Sequence, residues 1–140
     1  MIQTLTGIDS SASALAAERI RMEVITENIA NANTTRGIDG RPYQRQQVVF
    51  EKALANATGL GTGPEKVEVS KIVKDQSPPR LVYDPGHPDA NADGMVAYPN
   101  ISIHNEMADL IVASRAFEAN LAVVKNARVM AQQTLSIGKH

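Results

Sequence analysis

Residues 8–34 read IDSSASALAAERIRMEVITENIANANT, and the spacing of their apolar side chains decides the fold. From Ile8 to Asn31 there is neither Gly nor Pro, and the stretch is rich in Ala, Glu, Arg and Met, which lose little freedom on entering a helix. Ile8, Leu15, Met22 and Ile29 recur every seven residues, with Ala12 and Ile25 at intermediate positions. A repeat held through three heptads draws a narrow apolar seam along one side of a helix. At the usual rise per residue that helix is about 36 Å long. Asn31 to Gly37 (NANTTRG) then ends it, because Asn and Thr side chains bond nearby backbone in turns more readily than inside helices.

The other end of the chain follows the same pattern. Ile103, Leu110, Phe117, Val124 and Ala131 form one seven-residue series, while Met107, Leu121 and Leu135 belong to an offset one. Asn105 is the expected N-cap and Gly138 followed by Lys139 the expected stop, giving a helix of about 50 Å. An isolated amphipathic helix is marginal in water, since its stability comes from packing its apolar face. The two ends are therefore predicted to pair. Arg19, Ser114 and Arg128 interrupt the seams, so the pair is expected to be weak by itself.

Between the helices lie all seven prolines and most of the glycines. Gln46 to Glu51 reads as a short strand, Val67-Glu68-Val69 alternates, and Leu81-Val82-Tyr83 follows the Pro78-Pro79 break. Asp39-Gly40 and Asp93-Gly94 are hairpin-turn dipeptides, and Ala57 to Pro64 is a loop. The expected class is α+β: two long terminal α-helices pairing as a coiled coil, with a small β-rich region between them. The divisions fall at 1–36 for the N-terminal helix and its closing turn, 37–102 for the β-rich and loop region, and 103–140 for the C-terminal helix.

Composition says where the burial must come from. Of 140 residues 43% are hydrophobic, but many are alanine, and there are only two Phe, three Tyr and no Trp. Aromatics bury the most area per residue, so a thick core is hard to build from this set. Such a chain is expected to complete its burial against neighbours. The net charge is −1 and no basic stripe with interleaved aromatics occurs, which argues against nucleic acid as a partner. The absence of cysteine excludes disulfides and thiol chemistry. Met1 to Ser13 has neither a basic segment nor an apolar run, so no cleaved signal peptide is expected. No stretch approaches the roughly 20 apolar residues of a membrane span, so direct membrane insertion is not expected.

Chemical motifs are weak. Asp89-Ala90-Asn91-Ala92-Asp93-Gly94 matches the first half of a calcium-binding EF-hand loop, which makes a small calcium-responsive module centred on Asp89 to Asn100 the alternative to a structural role. Position twelve would be Asn100, where a bidentate Glu is required, and no helix leads in; an Asx-rich turn is the simpler reading. His87, His104 and His140 are dispersed, and the glycines at 59, 61 and 63 lack the lysine of a phosphate loop. No nucleophile, base and orienting group can be nominated together, so no enzyme, cofactor or metal site is expected.

Alanines 12, 14, 16, 17, 113, 116, 119, 122 and 127 fall on several helix faces, allowing close approach from more than one side. Asn28-Ile29-Ala30-Asn31-Ala32-Asn33-Thr34 resembles the signature that closes the first helix of the flagellar rod, hook and hook-associated axial proteins, matching at Asn28, Ile29, Ala30, Asn31 and Thr34. Asp39 to Tyr43, Gln47 to Phe50, Leu81 to Pro88, Ala92 to Gly94, Tyr98 to Asn100, Glu106-Met107 and Ser114 to Asn120 resemble, in order, the short proximal-rod members of that family. The resemblance implies a structural subunit of the bacterial flagellar basal body, exported without a cleaved signal peptide. It implies partners among other rod proteins, copies of itself and the basal-body adaptor at the membrane ring. It also implies terminal helices that line the export channel and transmit torque. The residues expected to carry assembly are the signature together with the seam at Ile8, Leu15, Met22, Leu110, Phe117, Leu121, Val124 and Leu135.

Overall fold

The computed structural model describes residues 2–54 and 65–137, with side chains described for 8–51 and 67–137. The loop expected at Ala57 to Pro64 and the stop at Gly138 lie outside the described residues. Helix α1 spans Ile2–Ala30 and helix α2 spans Ile103–Ile137. Helix α1 begins ahead of its expected start and runs through Gly7; one interior glycine costs only about 1 kcal/mol relative to alanine and does not end a helix. At the start of α2 the Ser102 carbonyl accepts the Glu106 N–H at 3.0 Å, which makes Ser102 the N-cap. Asn105, the expected cap, is already inside the helix.

Among the described residues two antiparallel strand pairs lie between the helices. Strand β1 (Gln46–Leu54) pairs with β2 (Glu65–Lys74), from Gln46 opposite Lys74 to Leu54 opposite Glu65, with a bulge between Val49 and Phe50. Strand β3 (Arg80–Tyr83) pairs with β4 (Met95–Tyr98). Strand β4 has no counterpart in the sequence reading, because its four residues, MVAY, are all apolar and show no alternation. Its pairing with β3 makes it a strand. The turn into it needs Gly94, whose φ is 72°; a Cβ there would stand 3.0 Å from Tyr83 Cε2 and 3.2 Å from Pro85 Cβ. Gly40 has φ 73°, but nothing lies within 4 Å of where its Cβ would be.

Helices α1 and α2 run antiparallel, with the C-terminal end of α1 beside the N-terminal end of α2. The first strand pair packs against α1. Two-stranded sheets are marginal alone, so the helix supplies their support. The buried hydrophobic side chains among the described residues are Ala17, Val24, Ile25, Ala32, Val96 and Ala113. Half of them are alanine, so the helices approach closely but bury little. On α1 the most buried positions, Ala17, Val24, Ile25 and Asn28, lie roughly a third of a turn round from Leu15 and Met22. The reason is that α1 meets the β1–β2 pair as well as α2, which widens and rotates its covered face. On α2 the covered stripe ends near Ala127, and Arg128 to Ile137 are exposed throughout.

Candidate assembly site at the helix junction

Where α1 ends and α2 begins, three segments are tied by polar side chains. Asn28, in the last turn of α1, is 1% exposed and uses its whole hydrogen-bonding capacity. Its Nδ2 donates to the Gln46 carbonyl at 2.9 Å and to Glu106 Oε2 at 3.1 Å. Its Oδ1 accepts from the Gln46 N–H at 2.9 Å and from the Tyr43 hydroxyl at 3.0 Å. One side chain therefore fixes the first residue of β1 against both helices.

Glu106 is also 1% exposed, and a carboxylate so placed is costly unless it is paired and hydrogen-bonded. Arg45 Nε donates to its Oε1 at 2.5 Å, and Arg45 Nη2 stands 3.8 Å from Asp109 Oδ2. Arg45 itself keeps 23% of its side chain exposed, so the pair sits at the edge of the interior. Burial, and then the negative charge of Glu27, push the Tyr43 hydroxyl up to about 12, which keeps it a neutral donor to Asn28.

The rest of the signature closes the helix. Asn31 Nδ2 donates to the Glu27 carbonyl at 2.9 Å, and Asn31 Oδ1 accepts from Thr34 Oγ1 at 3.2 Å. The Thr34 carbonyl then receives the Tyr43 N–H at 3.1 Å, returning the chain toward β1. Ile29 is half-buried and Ala30 is exposed, so Ala30 is not the small residue beneath the junction. That place belongs to Ala32, 4% exposed, at a position the signature leaves variable.

Of the seam residues, Ile8, Leu15 and Met22 are half-buried on the flank of the α1 contact. Leu110, Phe117, Leu121 and Val124 are half-buried along the stripe of α2 that carries Glu106 and Ala113. Leu135 is 65% exposed, beyond the internal contact. Arg45, Tyr43 and the burial of Glu106 were missed by sequence reasoning. One signal was available: Glu106 stands seven residues before Ala113 and four before Leu110, which places it on the same helix face as both.

The calcium reading is not supported. Asp89 Oδ2 accepts from Thr35 Oγ1 at 2.7 Å, and its Oδ1 lies 3.6 Å from Arg36 Nη1. Asn91 Oδ1 accepts the N–H groups of Asp93 at 3.0 Å and Met95 at 2.9 Å. The oxygens that a cation would need hold the end of α1 to the β3–β4 hairpin and shape an Asx turn. Among the described residues no group of three or more His, Cys, Asp or Glu could hold a metal ion. No described helix is long and apolar enough to cross a membrane.

Residues 8–36 match the family model described as "Flagella basal body rod protein", and residues 92–137 match "Flagellar basal body rod FlgEFG protein C-terminal". The first match covers the described α1 side chains and the closing turn; the second covers β4 and α2. The chain is 40% identical to the flagellar basal-body rod protein FlgC of Salmonella typhimurium, over 94% of this chain and 95% of that one. It is 40% identical to FlgC of Bacillus subtilis, over 94% and 96% of the two chains. To FlgC of Borreliella burgdorferi it is 38% identical, over 94% and 95%.

Proposed function

Because the chain belongs to the FlgC family of flagellar basal-body rod proteins, we propose that it is a structural subunit of the proximal rod, assembled through its paired terminal helices. The observation that carries this reading is the imbalance of burial along α2. Its internal contact ends near Ala127, while Ile111, Val112, Val123, Met130 and Ile137 are each more than half exposed. Exposed apolar surface of that extent calls for partners.

In this proposal the segments 1–36 and 103–140 form the layer around the export channel, and 37–102 lies outside it. Asn28, Asn31 and Thr34 close α1 and carry the junction, with Ile29 and Ala30 beside them. Ile8, Leu15, Met22, Leu110, Phe117, Leu121 and Val124 hold the helix pair, and Leu135 meets a neighbour. Torque passes between the helical layer and the β region through the Asn28–Glu106–Arg45 cluster. The neighbours are other rod proteins, copies of the chain and the basal-body adaptor at the membrane ring, reached by export without cleavage. The role is mechanical and needs no catalysis.

Removal of the chain from its own bacterium is the test. Loss of swimming, with basal bodies that lack a complete rod and regain it when the chain is resupplied, is the expected result. Complete rods without the chain would overturn the reading.

A further inference from the structure

Strand β3 is exposed along its whole length, with Leu81 and Tyr83 at 59% and 69%. Among the helices and strands it packs on β4 alone. The Asp84 N–H donates to the Gly94 carbonyl at 2.9 Å. Bonding residues alternate along an antiparallel pair, so Arg80, Val82 and Asp84 turn their backbone groups to β4. Leu81 and Tyr83 turn theirs to the free edge, where neither has a hydrogen-bond partner among the described residues.

The outer edges of the other strands carry side-chain bonds. Asn28 takes both backbone groups of Gln46 on β1, and Ser13 Oγ accepts the Val67 N–H of β2 at 3.3 Å. Asn91 takes both groups of Met95 on β4. An edge left open is a template for another strand. Pro79 and Pro85 bound this one, because they are the next outward-facing positions and lack an N–H. The edge therefore fits an extended segment that meets Leu81 and Tyr83 together.

Strand β3 is its own complement in one register. Two antiparallel copies centred on Val82 set Leu81 of each opposite Tyr83 of the other, and every outward N–H and C=O of these residues is paired. Centring on Leu81 or on Tyr83 instead sets the other residue against a proline and leaves a carbonyl of each copy unpaired. The Val82 register also places Arg80 of each copy opposite Asp84 of the other, and an aromatic opposite an aliphatic side chain on the other face. The Arg80 guanidinium lies 5.9 Å from the centre of the Tyr98 ring; neither it nor Asp84 has an ion-pair partner among the described residues.

We infer that β3 pairs with β3 of a second copy of this chain, forming one antiparallel sheet in the order β4-β3-β3-β4 across a two-fold axis. In a rod whose subunits all point the same way, such a two-fold contact cannot recur. It therefore belongs to the free chain and is released on incorporation, and it does not depend on the rod reading.

Sedimentation equilibrium and amide exchange of the purified full chain test the pairing. Raising the concentration from about 10 μM to about 1 mM is expected to convert monomer to dimer and to slow exchange at Leu81 and Tyr83 about tenfold. Leu81→Pro removes a donor that the monomer does not use, so this variant should keep its amide spectrum outside β3 and stay monomeric. Arg80→Asp and Asp84→Arg should each stay monomeric alone, because each sets like charges opposite one another. Mixed together they should dimerise, because opposite charges then meet at both ends. An unaltered chain that is monomeric at about 1 mM overturns the proposal. So does a dimer in which the Leu81 and Tyr83 amides exchange freely, or one that survives Leu81→Pro. Charge variants that dimerise as readily alone as together overturn it as well.

Discussion

Asn28 and Glu106 meet at 3.1 Å across the junction of α1 and α2, and each is 1% exposed. The contact joins residues 78 positions apart in the chain. Through Gln46 and Arg45 the same two side chains also hold the start of β1. The closure of the first helix, the helix pairing and the placement of the β region therefore share one set of polar atoms.

Removing the carboxylate is predicted to be more harmful than neutralising it. Glu106→Ala leaves Arg45 and Asn28 without their buried partner and is expected to cost about 3 kcal/mol, at the lower end for a broken buried pair because Arg45 is partly solvated. Glu106→Gln keeps an acceptor and should cost less. Chemical denaturation of the purified chain measures both, and equal losses would mean that the polar contacts contribute little.

Asn28→Ala should lower stability by more than Asn31→Ala. Asn28 makes four contacts reaching β1 and α2, whereas Asn31 bonds only within its own helix end and turn. Asn31→Ala resembles the loss of a cap, about 1 kcal/mol. The difference in denaturation midpoint decides it.

Tyr43 predicts an alkaline limb of stability. Its folded value of about 12 lies above the ordinary tyrosine value of 10.0, so between these pH values the folded chain binds more protons than the unfolded one. The contribution is present in full below pH 10 and is lost as pH rises through about 12. In Tyr43→Phe that dependence should disappear, and ultraviolet titration should lose a step near pH 12. An unchanged alkaline profile would contradict the burial of this hydroxyl.

Gly40 and Gly94, both at positive φ, should respond differently to alanine. Gly40→Ala meets open space and should cost about 1 kcal/mol for conformation alone. Gly94→Ala adds a Cβ at 3.0 Å from Tyr83 and 3.2 Å from Pro85, and should lower the melting temperature further. The reverse order would contradict the geometry of the β3–β4 turn.

How far the fold could be read in advance depended on how local its causes were. The seven-residue series at Leu110, Phe117 and Val124 is spaced like the covered stripe of α2, which faces a single helix. The series at Leu15 and Met22 sits to one side of the buried line on α1, because contact with the β1–β2 pair turns that line toward Ala17 and Val24. Sequence spacing cannot report a second partner. Asp89 to Gly94 was legible as an Asx turn, since Asn91 bonds residues only two and four positions away. Strand β4 was not, because its cause is β3. The junction itself was half legible. Asn28 stood out in its signature, but its partners Arg45 and Glu106 look like ordinary surface charges until the chain is folded.

Val123→Asp tests whether the outward side of the helix pair is the working surface. Val123 is 52% exposed, so the monomer should keep its stability to within about 0.5 kcal/mol. Quantifying the variant in purified basal bodies should then find it absent or strongly depleted beside the unaltered chain. A stable variant incorporated at normal occupancy would contradict the claim.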